Sequence, residues 1–410
     1  MSLRLTCEWQ AAPDVRTTEL AATWSRLTIE VDDIIATLVE ERGRSHGVRK
    51  SIDVPTYPLA EHLAINWWTL SAMAHRPGFG DVRLAEAGSG FPWPDITLRA
   101  DRDFMWAHVF QRNRDPDFVR FLAQGDAVLD AGDTLEEISR FIESTVRRLE
   151  SVGIHGTFLQ QEWDSIQGAD SSEREFCTVA AAWGFDPYDM PAEISDKLMD
   201  AGKHIGHDSL LIDLARAVNF DSIDQASRWL TEASSLASVG SRGVPIIESI
   251  VGSKADTTRP WRVGYRLAER ARRVLNLTPT QQAPIDELVH MSETSDDPPP
   301  NVDGLVRLGL NSAGLVLGEH LGATARRFAG ARAIARRAIG TTTEFSLLTR
   351  GSRYSDRVER AFAAEFLAPA DGLRTLLDGD FSEDAQHRVA EELGVSSWVI
   401  RHQVDNQLAA

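Results

Sequence analysis

Cysteine is almost absent from this chain of 410 residues: Cys7 and Cys177 are the only two, and they form no CxxC pair. That scarcity excludes a disulfide scaffold and a cysteine-rich zinc site. Lysine is nearly as rare, at Lys50, Lys197, Lys203 and Lys254, so almost all 43 basic residues are arginine. Such a bias is typical of genomes rich in G and C and carries no mechanism. No stretch approaches the roughly 20 consecutive apolar residues of a membrane-spanning helix. The first ten residues lack the basic start and apolar core of a secretion signal. A cytoplasmic protein with no membrane partner is the expectation. Net positive charge is missing too: 61 acidic residues leave the chain at −18, which argues against a general nucleic-acid coat or an anionic membrane as partner.

Several catalytic signatures are also absent. Gly88-Ser89-Gly90 has neither the lysine nor the length of a phosphate loop, and no GxSxG elbow or Cys–His pair appears. Nucleotide hydrolysis and serine or cysteine catalysis therefore have no support. What is present is a folded composition, 42% hydrophobic and 25% charged, on a chain long enough for two or three cores.

The patterning predicts an α+β fold, predominantly helical. Residues 1–125 read as a tryptophan-rich α+β module, since six of the eleven tryptophans precede residue 107. Alternation predicts strands at 3–9, 24–31, 96–99 and 104–110, the last two joined as a hairpin, with a helix over 58–75 carrying Trp67 and Trp68. These aromatics serve either a core or a ligand-binding cage. Residues 126–291 read as an acidic helical region. Its first helix starts near Asp133 with Thr134 and Glu137 in capping-box spacing, and Leu135, Ile138, Phe141, Ile142, Val146 and Leu149 share one face. Further helices are predicted over 172–183, 193–201, 223–236 and 261–275, punctuated by 184–191 and 240–245. The run SETSDDPPPNV at 292–302 reads as an exposed linker to a final domain, 303–410. From Asp303 onward 13 arginines nearly balance 14 acidic residues, so an anion-binding surface is expected in this last third.

Two stretches in that domain carry chemistry: RRFAGARAIARRAIG from Arg326, and DRVERAFAAEFLAP from Asp356 to Pro369. Their framework resembles the ImmA/IrrE family of bacterial zinc metallopeptidases, whose core is an FxxAHExGH helix followed by an acidic residue upstream of an (A)NxFAAxLLxP run. The likeness spans about a quarter of the chain and implies a zincin-type domain. Aligned on Phe328, the two histidine positions hold Arg332 and Arg336, and the glutamate position holds Ala333. The third ligand position falls on Asp356, and Arg360 stands where the family has asparagine. In a zincin helix, histidines at i and i+4 bind zinc while the glutamate activates water. A guanidinium has no lone pair for a metal and stays charged, and alanine is no base. Zinc is therefore expected to be absent, with no other cofactor, and the motif to be catalytically dead. Either Asp356 pairs with Arg332 and Arg336 in place of the metal, or the arginine pair binds an anionic ligand.

The tail, with Val389, Leu393, Gly394, Val395, Ser396 and Ile400, reads as helix, tight turn and helix. As a helix-turn-helix it places Ser397, Trp398, Arg401 and His402 on a DNA-reading helix. Relatives in the resembling family end in a similar segment that packs beside the core, so both readings stay open. His204 and His207 beside Asp208 have a metal-compatible spacing without a further ligand cluster, and Arg262, Arg266, Arg270 and Arg273 form a basic stripe.

The function implied is that of a catalytically inactive regulatory or sensing protein of bacteria. Active members of the resembling family cleave helix-turn-helix repressors, which implies a protein partner such as a helix-turn-helix regulator or a defence-system component. The implied settings are stress response, mobile-element control and anti-phage defence. Two alternatives are a metallo-endopeptidase built unconventionally from Asp356 with His320 or His387, and a transcriptional regulator that binds DNA through the tail.

Overall fold

The computed structural model describes residues 2–12, 15–41, 47–72, 80–101, 104–111, 119–240, 259–339, 343–351 and 353–408. They fall into two compact units, Met1–Pro191 and Ala192–Ala410. About 51% of the chain is helical and 21% is strand, which makes the fold α+β and predominantly helical.

The first unit contains β1 (Leu3–Trp9), α1 (Thr18–Ala22), β2 (Trp24–Val31), β3 (Ile34–Ile35), β4 (Val39–Glu41), β5 (Gly47–Arg49) and β6 (Ile52–Pro55). It continues with α2 (Tyr57–Ile65), α3 (Trp67–Ser71), β7 (Asp81–Arg83), β8 (Asp95–Asp101), β9 (Phe104–Phe110), β10 (Val119–Phe121) and β11 (Gly125–Asp130). Three helices close it: α4 (Ala131–Ser151), α5 (Phe158–Gly168) and α6 (Ser171–Ala182). The strands form three antiparallel sheets, with β2 central to the first and β11-β9-β8-β7 making the largest continuous path. The four predicted strands are all present, and β8 pairs with β9 as expected, although residues 102 and 103 of the turn lie outside the described residues.

The expected helix over 58–75 is two helices, broken at Asn66, whose Nδ2 donates to the His62 carbonyl; residues 73–75 lie outside the described residues. The expected capping box at Thr134 is absent. Asp130 is the cap of α4, accepting from the Asp133 amide at 2.9 Å, while Glu137 instead accepts from the Leu5 amide at 2.8 Å and ties α4 to β1. The first compact unit runs on past residue 125 to Pro191. The apolar face of α4 (Ile138, Phe141, Ile142, Leu149) shares one core with Leu27, Ile29, Leu98 and Trp93, and Trp163 and Ile166 of α5 join it. Trp93 is fully buried, and its indole donates to the Gly88 carbonyl.

The second unit opens with α7 (Ala192–Ile205), α8 (Asp208–Ala215), α9 (Ile223–Leu236), α10 (Pro260–Val274) and α11 (Ile285–Leu288). Then come β12 (Val289–Thr294), β13 (Val302–Leu308), β14 (Ala313–Gly318), α12 (Ala323–Ala338), β15 (Phe345–Thr349) and α13 (Tyr354–Leu367). The chain ends with α14 (Ala370–Leu377), α15 (Glu383–Leu393) and α16 (Ser397–Gln403). The four strands form one mixed sheet in the order β12-β14-β13-β15, with β12 and β14 parallel.

Residues 292–302, expected as an exposed linker, are exposed at 293, 295–297, 300 and 301 but begin inside β12. Ser292, Glu293 and Thr294 complete β12, and Thr294, 1% exposed, accepts from the Trp229 indole while donating to the Asp296 carbonyl at 2.7 Å. Ser295 donates to Glu232 from its amide and its hydroxyl at 2.9 Å, and 192–291 and 303–410 fall within one compact unit. At the sheet's β15 edge, the Leu347 amide donates to Asp213 Oδ2 at 2.9 Å, and Asp213 pairs with Arg216 at 2.7 Å. Gly264 lets α10 lie against α13, because a Cβ there would sit 2.6 Å from the Val358 carbonyl oxygen.

Candidate functional site

Alanine dominates α12, which favours the helix and leaves little side-chain bulk around its arginines. Arg332 and Arg336 lie one turn apart and are buried to 3% and 0% exposure; Ala333 between them is fully buried as well. The residue they meet is Glu359 of α13, itself 1% exposed. Arg336 grips it with two nitrogens, Nε to Oε1 at 2.9 Å and Nη2 to Oε2 at 3.4 Å, and Arg332 Nη2 approaches the same Oε2 at 3.4 Å. Arg332 also donates to Asp303 Oδ2 at 2.6 Å and to the Thr349 carbonyl at 2.7 Å.

The carboxylate to which both arginines donate is thus Glu359, where the spacing had suggested Asp356. Asp356 is fully buried, its Oδ1 accepts from the Thr349 hydroxyl at 3.0 Å, and Arg353 Nε lies 3.9 Å from its Oδ2. The difference is one helical turn. Glu359 is three residues further along α13, on the same buried side as Phe362, and its longer side chain reaches α12. Arg360, at the asparagine position of the resembling family, donates to the Gly351 carbonyl at 2.6 Å. Burial pushes its pKa down, Asp356 opposes that shift and Arg332 adds to it.

Asp303 links this buried cluster to the surface. Its Oδ2 accepts from Arg332 and its Oδ1 from Arg350 Nε at 2.8 Å, and Arg350 is 63% exposed. Arg332, Arg336 and Arg350 thus meet at two carboxylates, Asp303 and Glu359. Beside them lies a cavity of about 330 Å³ whose walls are mostly apolar, among them Phe328, Ala329, Leu367 and Val399. Trp398, 68% exposed, also lines it, and the cavity's polar lining is Asp303, Thr324, Arg332, Arg350 and Ser396. A second cavity, of about 470 Å³, shares Asp303, Leu321 and Arg350 with the first and continues past His320 along residues 297–302.

The tail is anchored to this core. Gly394 takes the left-handed conformation (φ 66°) that caps α15, and its carbonyl accepts from Arg327 Nε at 3.0 Å. Gln403, fully buried, donates to Glu365 Oε2 at 2.7 Å and to the Ala368 carbonyl at 2.9 Å. Glu365 also accepts from the Ala370 amide and from Gln407, yet burial outweighs these bonds and raises its pKa. Of the four tail residues, Ser397 is half-buried, while Trp398, Arg401 and His402 are exposed, with Trp398 and His402 stacked at 5.1 Å.

The other candidates do not converge. Gly206 (φ 68°) separates His204, at the end of α7, from His207, which precedes α8 and packs on Phe345. His387 is exposed and bonded to the Glu383 carbonyl, away from both cavities, whereas His320 lines the second. Among the described residues no three His, Cys, Asp or Glu side chains gather where they could hold a metal ion. The basic stripe of α10 is divided, with Arg262 and Arg273 exposed and Arg266 and Arg270 half-buried. On the same helix Arg272 donates to the carbonyls of Phe366 at 2.6 Å and Gln281 at 2.7 Å; burial lowers its pKa to about 10.

Sequence reasoning missed Glu359, Asp303, Thr349 and Arg350. Only Glu359 left a signal, its place three residues before Phe362 on an apolar helix face. The others reach the site through strand pairing that has no local pattern. No family model matches the chain, and no curated protein matches it in sequence.

Proposed function

We propose that the Ala192–Ala410 unit is a catalytically inactive, ImmA/IrrE-like recognition module that binds a protein partner in the cavity beside Arg332 and does not cleave it. One observation carries this reading: the positions that hold zinc ligands in the resembling family hold two buried arginines, neutralised by Glu359 and Asp303, next to an open and mostly apolar cavity. Closed ion pairing there serves as the cross-link between α12 and α13 that a metal would otherwise make. Guanidinium groups supply neither a metal ligand nor a base, so the cavity retains the shape of a binding site without hydrolytic groups at Arg332, Ala333 and Arg336. The partner in this reading is a helix-turn-helix regulator or a defence-system component inside a bacterial cell, with stress response, mobile-element control or anti-phage defence as the setting.

Metal analysis and a cleavage assay on the purified full chain test the proposal. The expected result is no stoichiometric zinc and no chelator-sensitive proteolysis. Bound zinc whose removal abolishes cleavage would overturn it.

A second reading, DNA recognition through α16, draws on the exposed face of Trp398, Arg401 and His402. Retention on DNA that weakens with salt and is lost in Arg401→Ala would favour it; no retention at low salt would exclude it.

A further inference from the structure

The tryptophan-rich first unit holds a cavity of about 470 Å³ that has no part in the proposed role. It is built from the break between α2 and α3 at Asn66, the start of β7, the first turns of α5, and the end of α6 with the loop that follows to Tyr188. Its aromatic lining is Trp68, Phe158, Phe185 and Tyr188. Trp68 is buried, whereas Phe158 and Tyr188 are 54% and 49% exposed and line the cavity together with Ile65, 53% exposed. Large apolar side chains left in water on separate elements around one hollow mark a place that another molecule covers.

The polar lining is Asn66, Thr69, Asp81, Glu162 and Asp186, with no lysine, arginine or histidine among the described lining residues. Asn66 and Thr69 are neutral, and Asp81 already pairs with Arg99, whose Nε donates to its Oδ2 at 2.9 Å. The charge that recruits a ligand is therefore that of Glu162 and Asp186. Asp186 is exposed, and its Oδ1 accepts from the Tyr188 amide at 2.9 Å, which ties the carboxylate to the loop that carries the aromatic ring. Glu162 is half-buried, one turn along α5 from Phe158. Burial raises its pKa, and Asp186 raises it further. Two carboxylates held near each other beside an apolar wall repel, and a cation bound to them relieves that repulsion.

We infer that this cavity binds an organic cation, a protonated amine on an aromatic or alkyl body: the ammonium on Glu162 and Asp186, the body against Trp68, Phe158 and Tyr188. Carboxylates supply the acceptors that an ammonium needs, and aromatic faces attract a cation while covering the apolar part that carries it. The volume lies in the range of small-ligand sites. A bare metal ion fits poorly, because among the described residues no three His, Cys, Asp or Glu side chains gather to hold one. The inference concerns the Met1–Pro191 unit alone and does not depend on the reading of Arg332.

Calorimetric titration of the full chain at low salt tests it with two probes of one shape: 2-phenylethylamine, protonated at neutral pH, and 2-phenylethanol, which carries no charge. The amine is expected to bind about tenfold or more tightly than the alcohol. Glu162→Gln and Asp186→Asn keep the size of each side chain, and the asparagine keeps an acceptor for the Tyr188 amide. Each should cut the preference for the amine, and the double variant should erase it. Phe158→Ala, at an exposed side chain, should weaken amine and alcohol together while the melting temperature holds. Equal binding of amine and alcohol, a preference that survives both carboxylate substitutions, undiminished binding by Phe158→Ala, calcium bound in place of the amine, or no binding of the amine at millimolar concentration by a folded chain would overturn the inference.

Discussion

Arg336 and Glu359 face each other across two helices with two hydrogen bonds, at 2.9 and 3.4 Å, and neither side chain is more than 1% exposed. Breaking such a pair from one side costs more than the pair contributes, because the remaining charge stays buried. Glu359→Ala should therefore destabilise the Ala192–Ala410 unit by about 3–5 kcal/mol. Asp356→Ala should cost less, since Glu359 is the carboxylate to which both Arg332 and Arg336 donate. Urea denaturation of the two variants side by side checks the order, and a reversed order would return Asp356 to the central role.

Replacing both partners, as in Arg336→Met with Glu359→Leu, should recover most of the loss caused by Glu359→Ala, because no uncompensated charge then remains on Arg336. A double variant as unstable as the single one would show that the ion pair itself holds the helices together.

Glu365 gives the unit a pH dependence of known sign. Burial raises its pKa in the folded state above the ordinary 4.5, so the folded state retains the proton to higher pH than the unfolded chain does. Stability associated with this group is present below pH 4.5 and is lost as pH rises through the folded value. Melting temperatures measured from pH 4.5 to neutrality should fall for the wild type relative to Glu365→Gln. Parallel curves would remove Glu365 as the cause.

Gly264→Ala tests the approach of α10 to α13. The added carbon would sit 2.6 Å from the Val358 carbonyl oxygen and 2.7 Å from the Phe362 amide. Backbone cannot yield as a side-chain tip does, so a loss of about 1–3 kcal/mol is expected. Thermal denaturation reads it directly.

The two faces of α16 should separate stability from recognition. Gln403→Ala removes two buried hydrogen bonds and should cost about 1–3 kcal/mol. Trp398→Ala, at a side chain 68% exposed, should leave stability within about 0.5 kcal/mol and weaken binding in the cavity it lines.

Much of the fold is legible in the chain because periodicity is local. The strands Leu3–Trp9, Trp24–Val31 and Phe104–Phe110 and the helix Ile223–Leu236 stand where alternation and amphipathic spacing place them. Boundaries are less legible, since they depend on which apolar face meets which. The α4 face joins the strand core of the first unit, and a run rich in serine, aspartate and proline proves to contain the end of β12. At the site, helix spacing places Arg332 and Arg336 together, but the choice between Asp356 and Glu359 depends on the rotation of α13 and on one methylene of reach. Neither is written in a spacing.

One hydrogen bond at the sheet margin limits how anything can approach it. An outermost strand offers its free main chain as a template on which an extended segment can add as a further strand. In β15 the central Leu347 amide already donates to the Asp213 carboxylate, which Arg216 holds in place. Strand addition on this side would have to displace a buried ion pair before forming its first bond. A strand whose central amide is occupied in this way is a poor template for a further strand.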